Sequence, residues 1–276
     1  MDFSTIRIIA KHEFIINVRN KWTLLFAVIF ALLVLGISYF GMVTAGVTGF
    51  QGFVRTSASM LNLVLYLVPL VSLTMGTLSF TGDQGSTELL FSQPVTRQEI
   101  LLGKLGGLFA AMATATLIGF GLAGLIVSAN TGSEGATRYP LFIAFALALA
   151  LIFLVLSTLI AMLCRRKAKA FGVTLFVWFF FVLFYDLLVI GGTFLLKERS
   201  ANQFLFLALF ANPVDLVRVG SLMVLDGKDI FGAAGASFVK FFGGQAASMW
   251  LIVAGLGIWT ALPLYMSARL LKQQDL

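Results

Sequence analysis

Asp186 sits inside Phe171 to Leu196, a run whose other residues are all uncharged. An ionisable group within such an apolar helix costs roughly 2.5–3.5 kcal/mol on insertion scales unless it faces protein or water. The carboxyl should therefore point inward. Two roles fit it: a gate or polar contact on a substrate path, or a hydrogen bond that fixes packing against a neighbouring helix. If the run ends near Ile190, the carboxyl lies close to the interface and the functional role has less claim. Further along, Asn212, Pro213 and Asp215 have the types and spacing of N-cap, first helical position and N3. They open a helix through Val214, Leu216, Val217, Val219, Leu222 and Val224 that Asp226-Gly227 should stop. Arg218 stands one turn from Asp215, the spacing of a local ion pair. This helix is either a platform for an extracytoplasmic partner or a lid on the chain's own spans.

A second group of residues is suited to docking rather than to making bonds. It lies in Gly82 to Lys104, reading GDQGSTELLFSQPVTRQEILLGK. Ser86 or Thr87 can cap a helix whose first turn carries Glu88, where a carboxylate suits the positive end of the dipole. Pro94 lacks a donor and pushes Gln93 out of the α region, so this helix is short and displays Leu89, Leu90 and Phe91. Thr96 and Glu99, flanking Arg97 and Gln98, then have the spacing of a capping box, and a new helix starts ahead of Ile100, Leu101 and Leu102. The arrangement reads as a handle through which a membrane subunit receives force from a partner, or as a loop resting in the headgroup region.

Several chemistries are excluded by what is missing. No G-x-x-x-x-G-K-[ST] occurs, so ATP-driven work requires a partner ATPase that binds the nucleotide, and no cofactor is expected on this chain. The single His12 and Cys164 cannot build a metal site, and neither H-E-x-x-H nor G-x-S-x-G is present, so the chain is not expected to be an enzyme. Its nine methionines are scattered without a paired motif and give no support to a copper path. A lone cysteine forms no intramolecular disulfide.

The elements that must hold these residues follow from composition. With 59% hydrophobic and 11% charged residues and a mean hydropathy of +1.00, the 276-residue chain cannot solvate the surface of a water-soluble domain. Six apolar runs are each long enough to span hydrocarbon as a helix: Trp22 to Phe40, Met60 to Phe80, Leu105 to Ala129, Leu141 to Leu163, Phe171 to Leu196 and Ala246 to Met266. None alternates with period two, so the fold expected is an all-α membrane protein with six transmembrane helices rather than a barrel. Residues 1–21 form an N-terminal segment, and residues 22–276 one membrane domain with the coupling segment 82–104 and an outer segment 197–245. That outer segment carries an apolar patch, Phe204 to Phe210, too short to cross.

Orientation comes from Lys and Arg in the connections. Arg7, Lys11, Arg19, Lys21, Arg97, Lys104, Arg165, Arg166, Lys167, Lys169, Arg269 and Lys272 fall on one side, against single Arg55 and Arg138 in the opposite short loops. Both termini and residues 82–104 should therefore be cytoplasmic, in a multi-pass membrane protein. Because these cations flank spans in small clusters, they do not form a nucleic-acid stripe. The late start of the first apolar run, preceded by Asp2 and Glu13, argues against a cleaved signal peptide. Ala111, Ala115, Gly119 and Ala123 make a ridge of small residues that lets helices approach closely, within one protomer or across a dimer. Pro69 and Pro263 are expected to kink their spans.

The order Gly85-Ser86-Thr87-Glu88-Leu89-Leu90, Gln93-Pro94-Val95-Thr96-Arg97, Glu99-Ile100-Leu101-Leu102-Gly103-Lys104 resembles the coupling segment of ABC-2 type permeases, the six-span subunits of ATP-binding-cassette transporters. The resemblance implies a segment docked in a groove of an ATPase, and a short helix ahead of the first span lying along the membrane surface. Residues 1–21 show no clean apolar face at helical spacing, so that helix rests on the resemblance. Trp178 to Leu188 and Asn212 to Arg218 are similar to the branch that serves nitrous oxide reductase maturation. This implies a second copy of the chain, a periplasmic β-helical partner, and support for a copper-sulfur centre. The rivals are a stand-alone secondary transporter or channel, for which Asp186 is the only ionisable residue inside a span, and a non-transporting assembly scaffold.

Overall fold

The computed structural model describes residues 2–45, 50–81, 95–131, 138–164, 166–196, 198–225 and 241–273, and among these every regular element is a helix. In chain order they are α1 (Phe3–Val18), α2 (Lys21–Ala45), α3 (Phe50–Thr81), α4 (Arg97–Thr131), α5 (Tyr139–Leu163) and α6 (Lys167–Phe179). A π-helical segment (Phe180–Phe184) runs on from α6, followed by α7 (Tyr185–Phe194), α8 (Glu198–Phe210), α9 (Pro213–Val224) and α10 (Gln245–Gln273). Each of the six apolar runs lies on helix, the fifth as far as Phe194. Five stretches are long and apolar enough to cross a membrane by themselves, and up to seven if each of two bent pairs is one span. The first expected span reaches this number only through the α1–α2 pair, bent by 66°. The second bent pair is α8–α9, at 105°. The all-helical membrane class holds, with five to seven spans where six were expected.

The α5 helix is the axis of the bundle, with 67% of its apolar window buried. It is covered by α3, α10, α4 and α9. Close approach explains much of this. A Cβ on Gly76 of α3 would collide with the Ser157 side chain of α5, and one on Gly220 of α9 would lie 2.7 Å from the Phe145 ring. In lipid such van der Waals fit, rather than water exclusion, holds helices together. Side-chain hydroxyls add to it: Thr77 and Thr174 meet at 2.7 Å between α3 and α6, and Tyr139 donates to the Phe120 carbonyl of α4 at 3.0 Å. Phe120 in turn packs edge-on against Phe30, Phe142 and Tyr139. By contrast, the α6–α7 span has only 11% of its window buried and presents Phe176, Phe179, Phe184, Leu187 and Leu188 outward. Pro69 and Pro263 lie inside α3 and α10, and both helices run on past them.

The small-residue ridge of α4 is an intramolecular contact, and it begins earlier than the alanines suggest. Gly103, Gly107, Ala111, Ala115 and Gly119 share one face; Ala111 and Ala115 are buried, and a Cβ on Gly119 would lie 2.8 Å from the Phe30 ring of α2. The first two glycines seat α1. At Gly107 a Cβ would stand 2.5 Å from the Ala10 carbonyl oxygen, 2.6 Å from Glu13 Cβ and 3.0 Å from the Phe14 nitrogen. Two of these neighbours are backbone, so α1 must lift. Gly107→Ala should therefore lower stability by about 1–3 kcal/mol, the usual cost of overpacking, read as a fall in the unfolding midpoint in detergent. Gly106→Ala is the matched control, because its Cβ would lie 3.9 Å from Ala10 Cβ, an ordinary contact.

Candidate functional site

The start of α4 is built as its sequence requires. Glu99 accepts from the Thr96 backbone N–H at 2.9 Å, and the Glu99 N–H points back to the Thr96 hydroxyl at 3.4 Å, the reciprocal pair of a capping box. The other Glu99 oxygen accepts from the backbone N–H of Asp2 at 2.6 Å, so one buried carboxylate serves the beginnings of two helices. Arg97 donates to the Leu271 carbonyl at 3.0 Å, satisfying a carbonyl in the last turn of α10. The N-terminal helix, the last helix and the exit of the 82–94 stretch thus meet at one end of the bundle. Thr87, Glu88, Leu89, Leu90, Phe91 and Pro94 lie outside the described residues.

Further along, α1 touches the other flank of that stretch. Glu13, buried, accepts from the Ser79 hydroxyl at 2.6 Å and from the Asn17 amide at 3.1 Å. Lys104 donates to the Ser79 carbonyl at 3.1 Å and stands 5.5 Å over the Phe80 ring. The sequence reading missed this polar seam, and it explains why α1 shows no clean apolar face. Its inner side holds Glu13, Asn17 and the glycine contacts, while Phe3, Ile8, Ile15 and Ile16 face outward. The helix itself is set by Asp2, which accepts from the Ser4 amide at 3.0 Å and the Ser4 hydroxyl at 2.6 Å. These bonds, the Ser4 hydroxyl foremost, hold the Asp2 carboxyl below its ordinary value. A depressed carboxyl stabilises the fold above its ordinary pKa, so this cap is lost as pH falls through the lowered value.

A second site joins residues that the sequence treats separately. Arg218 donates to Asp215 at 2.7 Å and also to Asp186 on α7 at 3.2 Å, so the expected local pair is one arm of a three-membered ion cluster. Asn212 caps α9 by accepting from the Val214 N–H at 3.0 Å. Its amide donates to Asp215 at 3.0 Å and to the Phe181 carbonyl at 3.0 Å. That carbonyl lies in the π-helical segment, where the Tyr185 N–H reaches back five residues to the Phe180 carbonyl. A wide turn of this kind loosens the regular ladder, and such turns recur at functional sites.

The α8–α9 break is stabilised by side chains throughout. Tyr185 donates to the Ala208 carbonyl at 2.6 Å, and Trp259 of α10 donates to the Phe210 carbonyl at 3.0 Å. Carbonyls left over at a helix end must find donors where water is scarce. These aromatic donors make the 105° bend a built feature rather than a frayed one.

Placement separates the four residues read as an outer contact. Asn212 and Pro213 are buried against the chain itself. The Asp215 side chain is nearly enclosed at 13% exposure, while Arg218 keeps 30%, paired with Asp186 at 38% on the sparsely covered α6–α7 span. An ion pair on a lipid-facing surface is unfavourable, so this side calls for water or more protein.

The profile of the ABC-2 family transporter proteins matches residues 7–276. A probable ABC transporter permease protein NosY of Pseudomonas aeruginosa is 32% identical over 275 residues, covering 97% of this chain and 98% of that protein. A probable ABC transporter permease protein NosY of Stutzerimonas stutzeri is 33% identical over 263 residues, covering 91% and 93%.

Proposed function

From the premise that the chain belongs to the ABC-2 family of transporter proteins, we propose that it is the membrane permease half of an ATP-driven complex, six-spanning, with both termini cytoplasmic. Two copies bracket a central path, and each presents the 82–94 stretch to one cytoplasmic ATPase. The observation that carries this reading is the construction of the exit at Thr96–Glu99, where one carboxylate fixes the start of α4 and the start of α1 together. A push on the preceding stretch is thereby delivered to helices rather than dissipated in a loop. The half-exposed Asp186–Arg218 pair supports the dimer, because a second copy across the α6–α7 span removes that pair from lipid.

The α8–α9 pair, turned back on itself by 105°, dips into the outer leaflet and forms the platform against which a periplasmic β-helical partner sits. Assembly of the copper-sulfur centre of nitrous oxide reductase is the process served, by passage of cargo or by remodelling of the outer partner. Support comes from the two relatives and from the Phe181–Asp186 and Asn212–Arg218 stretches meeting in one cluster. A stand-alone secondary transporter fits less well, since Asp186 is held by Arg218 and is not free to carry a coupling ion.

The test is reconstitution. The chain should copurify with a P-loop ATPase of the ATP-binding-cassette type, and hydrolysis by the complex in lipid should exceed that of the isolated ATPase. An ATPase indifferent to the chain, together with transport that proceeds without it, would sink the reading.

A further inference from the structure

The α1 helix touches both flanks of the coupling stretch. Before the stretch, Glu13 binds the Ser79 hydroxyl; after it, the Asp2 N–H binds Glu99. Between these points the α1 backbone rests on Gly103 and Gly107, where a Cβ would stand 2.7 Å from Ile9 Cβ and 2.5 Å from the Ala10 carbonyl oxygen. Lys104 closes the third side by donating to the Ser79 carbonyl. We propose that α1 is a strap across the two roots of the coupling stretch, and that Glu13 and Glu99 are the positioning residues that make α1, the end of α3 and the start of α4 move as one body.

The physical argument concerns stiffness. Two antiparallel helices joined only by a connecting stretch can slide or splay when the stretch is pushed, and the push is then absorbed between them. A third helix hydrogen-bonded to both, seated on glycines with no side chain to act as a spacer, removes that freedom. Both bonded carboxylates are buried, at 9% and 5% exposure, where a hydrogen bond is strong and its loss leaves a polar group without compensation. An α1 serving only as a membrane-surface anchor would need neither carboxylate, since its outward Phe3, Ile8 and Ile16 already meet the apolar phase.

This inference rests on the ATPase-coupled reading above, and its test keeps the two apart by using the purified complex with copurification as a separate readout. A Cβ on Gly106 would lie 3.9 Å from Ala10 Cβ, within the span of a disulfide. Ala10→Cys with Gly106→Cys should therefore oxidise to an intrachain crosslink, with Cys164 buried and out of competition. If α1 and α4 move as one body, crosslink yield is the same with and without ATP, and the oxidised complex hydrolyses ATP within about twofold of the reduced one. Glu13→Met with Glu99→Met, which keeps the side-chain length but removes the acceptor oxygens for Ser79 and the Asp2 N–H, should still copurify the ATPase yet lower its lipid-stimulated hydrolysis by about fivefold or more, the lower range of coupling between sites. The crosslink joins α1 to α4 and should restore the part of that loss due to Glu99, leaving the part due to Glu13 and Ser79 on α3. A crosslink that stops hydrolysis until reduced, a yield that changes severalfold with nucleotide, or a double methionine variant with unaltered stimulation would each overturn the strap. Should the double variant fail to fold, the nucleotide dependence of the crosslink in the otherwise native chain still decides. Loss of copurification with the unaltered chain would instead refute the ATPase-coupled reading itself.

Discussion

Replacing Leu90 and Phe91 with glutamate strips the ATPase from the purified complex. Each of these side chains is worth about 1.5–3 kcal/mol when buried in a partner's groove. Their joint loss therefore weakens docking by roughly 10²–10⁴-fold, and burying a charge in place of either adds a further penalty. The fold of the chain itself should survive. The capping box at Thr96 and Glu99, the Arg97 bond to Leu271 and the Glu13 bond to Ser79 all lie outside the altered pair. Pull-down of the ATPase from detergent, beside an unchanged unfolding midpoint of the chain, reads both halves of the expectation. Retention of the ATPase at native yield argues for a loop lying in the headgroups instead.

The second large effect is at the ion cluster. Arg218→Met leaves Asp186 and Asp215 without their shared cation; with Arg218 30% and Asp186 38% exposed, the cost falls short of that of a fully buried pair, at about 1–3 kcal/mol. Asp215 is the more enclosed carboxylate, with 13% side-chain exposure against 38% for Asp186, so most of the loss arises there. Adding Asp186→Asn to Arg218→Met should recover part of it, a coupling visible in a double-mutant cycle of unfolding midpoints. The single Asp186→Asn keeps an oxygen for Arg218 to bind, so a purely architectural Asp186 predicts near-native hydrolysis by the complex. A role on the path predicts a stable chain with impaired ATP-linked work.

Local chemistry was the legible part of this chain. The caps at Asn212 and at Thr96–Glu99 were readable because a cap depends only on residues within one turn. Helix existence was readable because uncharged runs of this length have no other way to satisfy their backbone in lipid. What stayed hidden required two distant stretches to meet. Asp186 and Arg218 are 32 residues apart, and their contact depends on the π-helical turn at Phe180–Phe184 and the break at Ala211. Asn212 and Pro213 announce the break, but neither its 105° angle nor the π-helical turn has a signature in residue type. The ridge on α4 is legible from Ala111 to Ala123, yet its two glycines at 103 and 107 fall in or beside the stretch 82–104, whose other residues point to docking. The α1 seam failed for an opposite reason: a search for an apolar inner face misses a helix whose inner face is polar.

These features suggest a division of labour along the bundle. At one end, α1, α3, α4 and α10 converge on Glu99, Arg97 and Ser79, the residues that flank the 82–94 stretch. Further along, the α6–α7 span, little covered by its own chain, carries the Asp186–Arg218 pair beside the α8–α9 bend. Axial α5 lies against α3, α4, α9 and α10, so a movement of α3 and α4 reaches α9 through packed side chains.

The central claim is that residues 82–94 face the cytoplasm and are covered there by a nucleotide-driven partner. Ser86→Cys and Ser92→Cys, each probed with a membrane-impermeant thiol reagent, test it most directly, since native Cys164 is buried. The account predicts labelling in inside-out vesicles, protection when the ATPase is bound, and no labelling in intact spheroplasts. Labelling from the outer side, or equal labelling with and without the ATPase, would contradict it.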